Sequence, residues 1–167
     1  MRFEKVSLET FMKDMKKHGF RDGYLTAYSN IKIPERKTKH SAGYDVVTPV
    51  DFVLHPGEQI TIPTGIKAYF VPEEMGKYHL QLFVRSSVGI QRGVVMSNQT
   101  GIIDADFYNN EDNEGDMLIA LRNMSDNTAT FKAGDRIIQA VWMAHYTTDD
   151  DHAEGVRTGG VGSTDNA

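Results

Sequence analysis

The chain has 167 residues, enough for one well-buried core and short for two, and its 40% hydrophobic and 25% charged residues are the balance of an ordinary folded domain. Its net charge of −5 argues against a nonspecific coat for nucleic acid, so no direct nucleic-acid binding is expected, and the lack of cysteine excludes disulfide staples and thiolate-bound zinc or iron–sulfur centres. No apolar run nears the roughly 20 residues that cross a bilayer, and residues 1–5 lack the apolar segment of a signal peptide, so a cytoplasmic location without membrane association is expected.

Leu8, Phe11, Met12 and Met15 fall at i, i+3, i+4 and i+7, a spacing that predicts a helix over 7–18. Ser7 suits its N-cap, Glu9 its first turn, and Lys16, Lys17 and His18 its last turn, with Gly19 as the stop. Residues 1–23 therefore read as a helical extension whose role is packing. Residues 29–42 are polar and basic, with Pro34 and the run Glu35-Arg36-Lys37-Thr38-Lys39-His40, and read as an extended loop with a solvated charged face.

From residue 44 the texture is β. Strands are expected at 46–47, 51–54, 59–62, 65–71, 77–84, 117–121, 128–131 and 136–146, punctuated by Pro49, Pro56-Gly57, Pro63 and Pro72. This turn spacing is that of an all-β sandwich or barrel, so residues 24–146 read as a β-barrel domain with an acidic loop at 108–115. After Tyr146 periodicity stops, and residues 147–167 are expected to form a mobile tail. No internal repeat appears, the six histidines lack the spacing of a zinc hydrolase, and Trp142 and Met143 read as core.

Val94, Val95 and Met96 read as a strand that breaks at Ser97-Asn98-Gln99-Thr100-Gly101 and resumes at Ile102-Ile103-Asp104. A β-hairpin is expected here, with Gly101 taking a positive φ and the tip's free backbone groups reading the edge of a flat polar ligand. Asp104 follows two β-branched residues, so a partly desolvated carboxylate at a core edge is expected, a setting suited to a general base. The plainer alternative is that Asp104 and Asp106 end a strand and cap a turn. In the tail, Arg157-Thr158-Gly159-Gly160-Val161-Gly162-Ser163-Thr164 offers an arginine fork, backbone N–H groups and hydroxyls to an anion, against the alternative of a plain flexible terminus.

Five stretches stand in a definite order: Ala42-Gly43-Tyr44-Asp45-Val46, Arg85-Ser86-Ser87, Gly101-Ile102-Ile103-Asp104-Ala105-Asp106-Phe107, Gly134-Asp135-Arg136-Ile137-Ile138-Gln139, and the tail motif. The series resembles the five motifs of the trimeric dUTPase family (dUTP diphosphatases), particularly the form of Gram-positive bacteria and their phages, over about residues 31–165. The resemblance implies a dUTPase-like β-clip or jelly-roll barrel that assembles as a homotrimer. Its active sites would be shared between subunits and closed by the C-terminal tail of another subunit. The implied reaction is hydrolysis of dUTP to dUMP and pyrophosphate with Mg2+, which limits uracil in DNA and supplies dUMP for thymidylate synthesis.

The same resemblance implies residue roles. Asp104 would orient and deprotonate the water attacking the α-phosphorus, and Gln139 would contact phosphate and that water. Asp45 would hold Mg2+ through water, as suits a cation that keeps its hydration. Arg85, Ser86 and Ser87 would form the phosphate loop, while Asn98, Gly101 and Ile103 would belong to the hairpin that binds uracil. Phe107 would pack under the deoxyribose, Arg157, Gly162, Ser163 and Thr164 would grip the γ-phosphate, and Arg136 would be structural, paired with a carboxylate.

Three positions depart from the pattern. Phe107 stands where the family usually has tyrosine, Val161 where most relatives place a phenylalanine that stacks on uracil, and Asp165 where a glycine commonly follows Ser-Thr. Tyr108 is a candidate replacement for the missing lid. Two rivals share the scaffold. A dCTP deaminase would need a glutamate three residues before Asn123, where Ala120 stands. A regulatory protein with a nucleotide-gated surface would bind an unknown protein partner through the N-terminal helix, the acidic loop or the tail.

Overall fold

The computed structural model describes residues 1–160; the expectations for Val161, Gly162, Ser163, Thr164 and Asp165 lie outside the described residues. In chain order the elements are β1 (Arg2–Lys5), α1 (Leu8–Lys17), α2 (Tyr24–Asn30), β2 (Tyr44–Val47), β3 (Phe52–Leu54), β4 (Gln59–Pro63), β5 (Ile66–Tyr69), β6 (Tyr78–Val84), α3 (Ser86–Arg92), β7 (Val94–Met96), β8 (Gly101–Ile103), β9 (Leu118–Asn123), β10 (Ala129–Phe131) and β11 (Arg136–Ala144). Strands alternate where one face is covered: β3, β7, β8 and β10 each read buried–exposed–buried.

A four-stranded sheet in the order β2-β11-β6-β8 and a three-stranded sheet β4-β9-β7 carry the architecture, with the pairs β1-β5 and β10-β3 completing it. Leu80, Leu82, Ile138 and Ala140 from the first sheet and Ile62, Ile119, Leu121 and Val94 from the second bury into one core with Phe70 and Phe131. This is the expected all-β, jelly-roll type of fold.

The N-terminal segment is tied to that core. β1 pairs antiparallel with β5, from Arg2 opposite Tyr69 to Lys5 opposite Ile66. Ser7 caps α1 by accepting from the Thr10 N–H, and Phe11 and Met15 are fully buried. The periodic stripe splits, however: Leu8 and Met12 line an open surface groove, and Asp14 goes inside instead. Two short helices were not expected. α2 has seven residues and buries only Ala27, so it leaves no periodic trace. α3 begins on two serines that read as loop and ends where Gly93 turns left-handed at φ 65°.

Acidic loop 108–115 anchors α1. Glu114 accepts from the Ser7 backbone N–H (3.0 Å), the Thr10 hydroxyl (2.6 Å) and Lys67 Nζ (3.2 Å). Burial alone would raise its carboxyl, but these donors outweigh burial and hold it at about 2, against an ordinary 4.5. A depressed carboxylate stabilises the folded state fully above pH 4.5 and loses that contribution as pH falls toward 2. At Asp14 and Asp116 burial prevails and pushes the carboxyls up, so acid relieves them while it discharges Glu114. The Glu114 share is isolated by comparison with Glu114→Gln. Protection of the α1 amides relative to their intrinsic exchange rates should fall in the wild type from pH 4.5 toward 2, and the variant should start less protected and change less; equal pH profiles would refute this anchor.

Candidate active site

One cluster forms where β2, β11 and the start of α3 meet. Side chains alternate along a regular strand, so Arg136 and Gln139, three apart, should face opposite sides. They share a side because the register between β11 and β2 shifts between Arg136 and Ile138, a bulge that also lets Ile137 and Ile138 both be fully buried. Arg136 Nη1 then donates to Asp45 Oδ2 (3.1 Å) and Arg85 Nε forms an ion pair with Asp45 Oδ1 (3.0 Å), leaving the Asp45 side chain 12% exposed. Arg136 thus takes the carboxylate partner expected of it. Gln139 lies directly opposite Asp45. Gly43 makes room for it: a Cβ there would come within 2.7 Å of Gln139 Oε1 and 3.0 Å of its Cβ. Ser86 and Ser87 open α3, and the first-turn N–H groups of a helix lack intrahelical acceptors.

Among the described residues no three histidine, aspartate or glutamate side chains gather as a metal cage. Asp45 is a single carboxylate with an arginine on each oxygen. That donor set fits a cation that keeps its water and takes its direct ligands from a phosphate chain.

A second cluster forms at the other edge of the same sheet. The expected hairpin is a crossing between sheets: β7 pairs with β9 and β8 with β6. The positive φ falls on Gln99 (65°), and Gly101 does not take one. Gly101 is needed for space instead, since a Cβ would meet Leu82 at 3.2 Å. β8 is the terminal strand of its sheet, so one row of its backbone groups is unpaired within that sheet. Asn98 is exposed at the crossing and borders a cavity of about 590 Å³ with His18 and Asn113.

Asp104 follows β8 directly. Its side chain is 51% exposed, so the expected desolvation is not found within one chain. Arg157 Nη2 pairs with Asp104 (2.9 Å) and its Nε with Asp106 (2.9 Å), while the guanidinium lies 5.7 Å from the centre of the Phe107 ring. Asp106, read from the sequence only as a strand end or turn cap, is the second arm of this grip; the doubled carboxylates at 104 and 106 were the available signal. Phe107 is 7% exposed. Tyr108 is no free lid: its hydroxyl donates to Glu4 Oε2 (2.6 Å) and its ring packs edge-on to Tyr69. The bond to Glu4 raises the Tyr108 hydroxyl above its usual value.

The two clusters are far apart. β11 and β6 separate β2 from β8, three strand spacings or about 14 Å across the sheet. Asp45 is level with Gln139 and Phe83, whereas Asp104 lies one step past Ile103, which is opposite Leu80, an offset of about 13 Å along the strands. Within one chain the two clusters therefore lie at opposite edges of the sheet.

Comparison with known proteins places this arrangement. The dUTPase family model matches residues 29–164. The chain is 42% identical over 154 residues to the deoxyuridine 5'-triphosphate nucleotidohydrolase of Lactococcus lactis, covering 90% of this chain and 99% of that one. The crystal structure of the dUTPase from Streptococcus mutans aligns with TM-score 0.68 and 33% identity over 89% of this chain and 99% of that one. The Staphylococcus bacteriophage 80alpha dUTPase with dUPNHPP aligns with TM-score 0.60 and 25% identity over 75% of this chain and 83% of that one. A motif order read in the sequence, a fold shared along nearly the whole chain and a family match over most of its length agree: the chain belongs to the dUTPase family.

Proposed function

We infer that this chain hydrolyses dUTP to dUMP and pyrophosphate, acting in the cytoplasm as a homotrimer with magnesium. The observation that carries the assembly is the separation of Asp45, Arg85 and Gln139 from Asp104 across one sheet. A single chain cannot bring both to one phosphorus, and a cyclic trimer can set one chain's carboxylate against the next chain's arginines.

In this reading Arg85, Ser86 and Ser87 gather the phosphates, and Gln139, backed by Gly43, holds the water and a phosphate oxygen. Asp104 takes the proton of that water as its oxygen attacks the α-phosphorus. For this Arg157 leaves Asp104 and Asp106 for the γ-phosphate, a partner of higher charge, joined by Gly162, Ser163 and Thr164. The free edge of β8 at Gly101 and Ile103, with Asn98, reads uracil, and Phe107 supports the deoxyribose. Asp45 would hold magnesium through water, and the cation would supply neutralisation of the charge that builds on the phosphates.

A pyrophosphate-release assay across dUTP, dCTP, dTTP and UTP tests the reading. Turnover is expected for dUTP, with the others at least about 100-fold slower, because an unpaired base edge or a clashing 2′-hydroxyl leaves buried polar groups unmatched. Phe107 keeps the ring of the usual tyrosine, so sugar discrimination should survive, and substantial UTP hydrolysis would refute that. Gly43→Ala should push Gln139 aside and lower kcat about ten- to a hundredfold with thermal stability near wild type. An unchanged kcat would remove Gln139 from the account.

A further inference from the structure

The basic loop expected to be a solvated face is in part the wall of a cavity. Lys32, Lys37, Arg136, Glu35 and Asp45 surround a space of about 580 Å³ on the outer side of β2. The loop is pinned there: the Asp45 N–H donates to the Glu35 carbonyl (2.9 Å) in an isolated antiparallel bridge, and Pro34 is buried. Lys32 and Lys37, both exposed, thereby extend from a loop whose backbone is fastened at Asp45.

A second cavity of about 220 Å³ borders Arg136 and Gly134 from the other side and runs to Arg85 and Arg92. Across the two, five cations face three carboxylates, Glu35, Asp45 and Asp135, in a chain whose net charge is −5. The sign of the charge is inverted locally, as an anion track requires. Arg85 and Arg136 are explained by their pairs with Asp45. Lys32 and Lys37 are not: Lys37 pairs with Glu35, on the loop itself, and neither lysine belongs to the five motifs.

We propose that Lys32 and Lys37 form a leaving-group subsite that receives pyrophosphate when the bond from the α-phosphorus to its bridging oxygen breaks, and holds it until release. This rests on the reading that the chain cleaves dUTP at that phosphorus. The water oxygen forms the new bond, the bridging oxygen leaves with the electron pair, and the water's proton goes to Asp104. The departing group then carries the highest charge density in the site, and of the three cations lining the larger cavity Arg136 is committed to Asp45 while Lys32 and Lys37 are not; Arg92, in the smaller one, is turned to the Thr130 carbonyl.

The test is calorimetric binding of inorganic pyrophosphate, with magnesium, to the full-length protein and to the double variant Lys32→Ala/Lys37→Ala, with dUMP titrated in parallel. Pyrophosphate affinity is expected to fall about tenfold in the variant and to depend less steeply on salt. dUMP affinity should stay within about twofold, and Lys32→Arg/Lys37→Arg should retain most pyrophosphate binding. Unchanged pyrophosphate affinity in the alanine variant overturns the subsite, and so does an equal loss of dUMP and pyrophosphate binding. Failure of the parent reading shows elsewhere, as a wild-type protein that releases no pyrophosphate from dUTP.

Discussion

Asp104→Asn is expected to lower kcat for dUTP about a thousandfold while leaving nucleotide binding within a few-fold. The amide keeps the shape of the side chain and loses the ability to accept a proton, and a positioned general base supplies about 10²–10⁴ in rate. Asp106 is not a substitute. It holds the other arm of Arg157, which keeps one carboxylate partner in the variant and so keeps the tail near its place. Asp104 is half exposed in one chain, so in the proposed trimer its role would depend on what a neighbouring chain brings, not on burial by its own. Pyrophosphate release under saturating dUTP measures the effect, and a variant retaining more than about a tenth of wild-type kcat would remove Asp104 from the chemistry.

Asp45→Asn should cost about a hundredfold in kcat/KM, for a different reason. Among the described residues its carboxylate is the one that pairs with both Arg85 and Arg136, and at 12% exposure water screens it poorly. Without that charge the two guanidinium groups repel across a short gap, the phosphate loop loses its orientation, and a hydrated cation loses its acceptor. The expected signature is a raised KM for dUTP, a steeper need for magnesium and a modest loss of thermal stability. Normal magnesium dependence in this variant would contradict the assignment.

Much of this was legible from residue types. α1 announced itself through Leu8, Phe11 and Met15 and its Ser7 cap, and the β strands through β-branched runs between prolines. What escaped depends on distant partners. The run Ile137-Ile138 reads as unbroken strand, so nothing local marks the bulge that turns Arg136 and Gln139 to one side. The left-handed turn residue is Gln99, where Asn98 or Gly101 would be the usual choice, because the chain there crosses between sheets instead of folding back. The charged residues of the loop carrying Lys32 and Lys37 are exposed, as its composition suggests, but its anchor, the bridge to Asp45, joins residues ten apart with no periodic pattern between them. The separation of the two clusters is a property of strand order in a sheet, which adjacent residues do not encode.

That separation leads to the most direct measurement. Asp104→Asn and Asp45→Asn chains, co-expressed in equal amounts, assemble at random into mixed trimers if the site is shared. A competent site then needs Asp104 from a chain of one kind and Asp45 from a chain of the other, each with even odds, so about a quarter of wild-type activity should return from two nearly inactive variants. A mixture no more active than the two variants measured separately would mean that each chain works alone, contrary to the account.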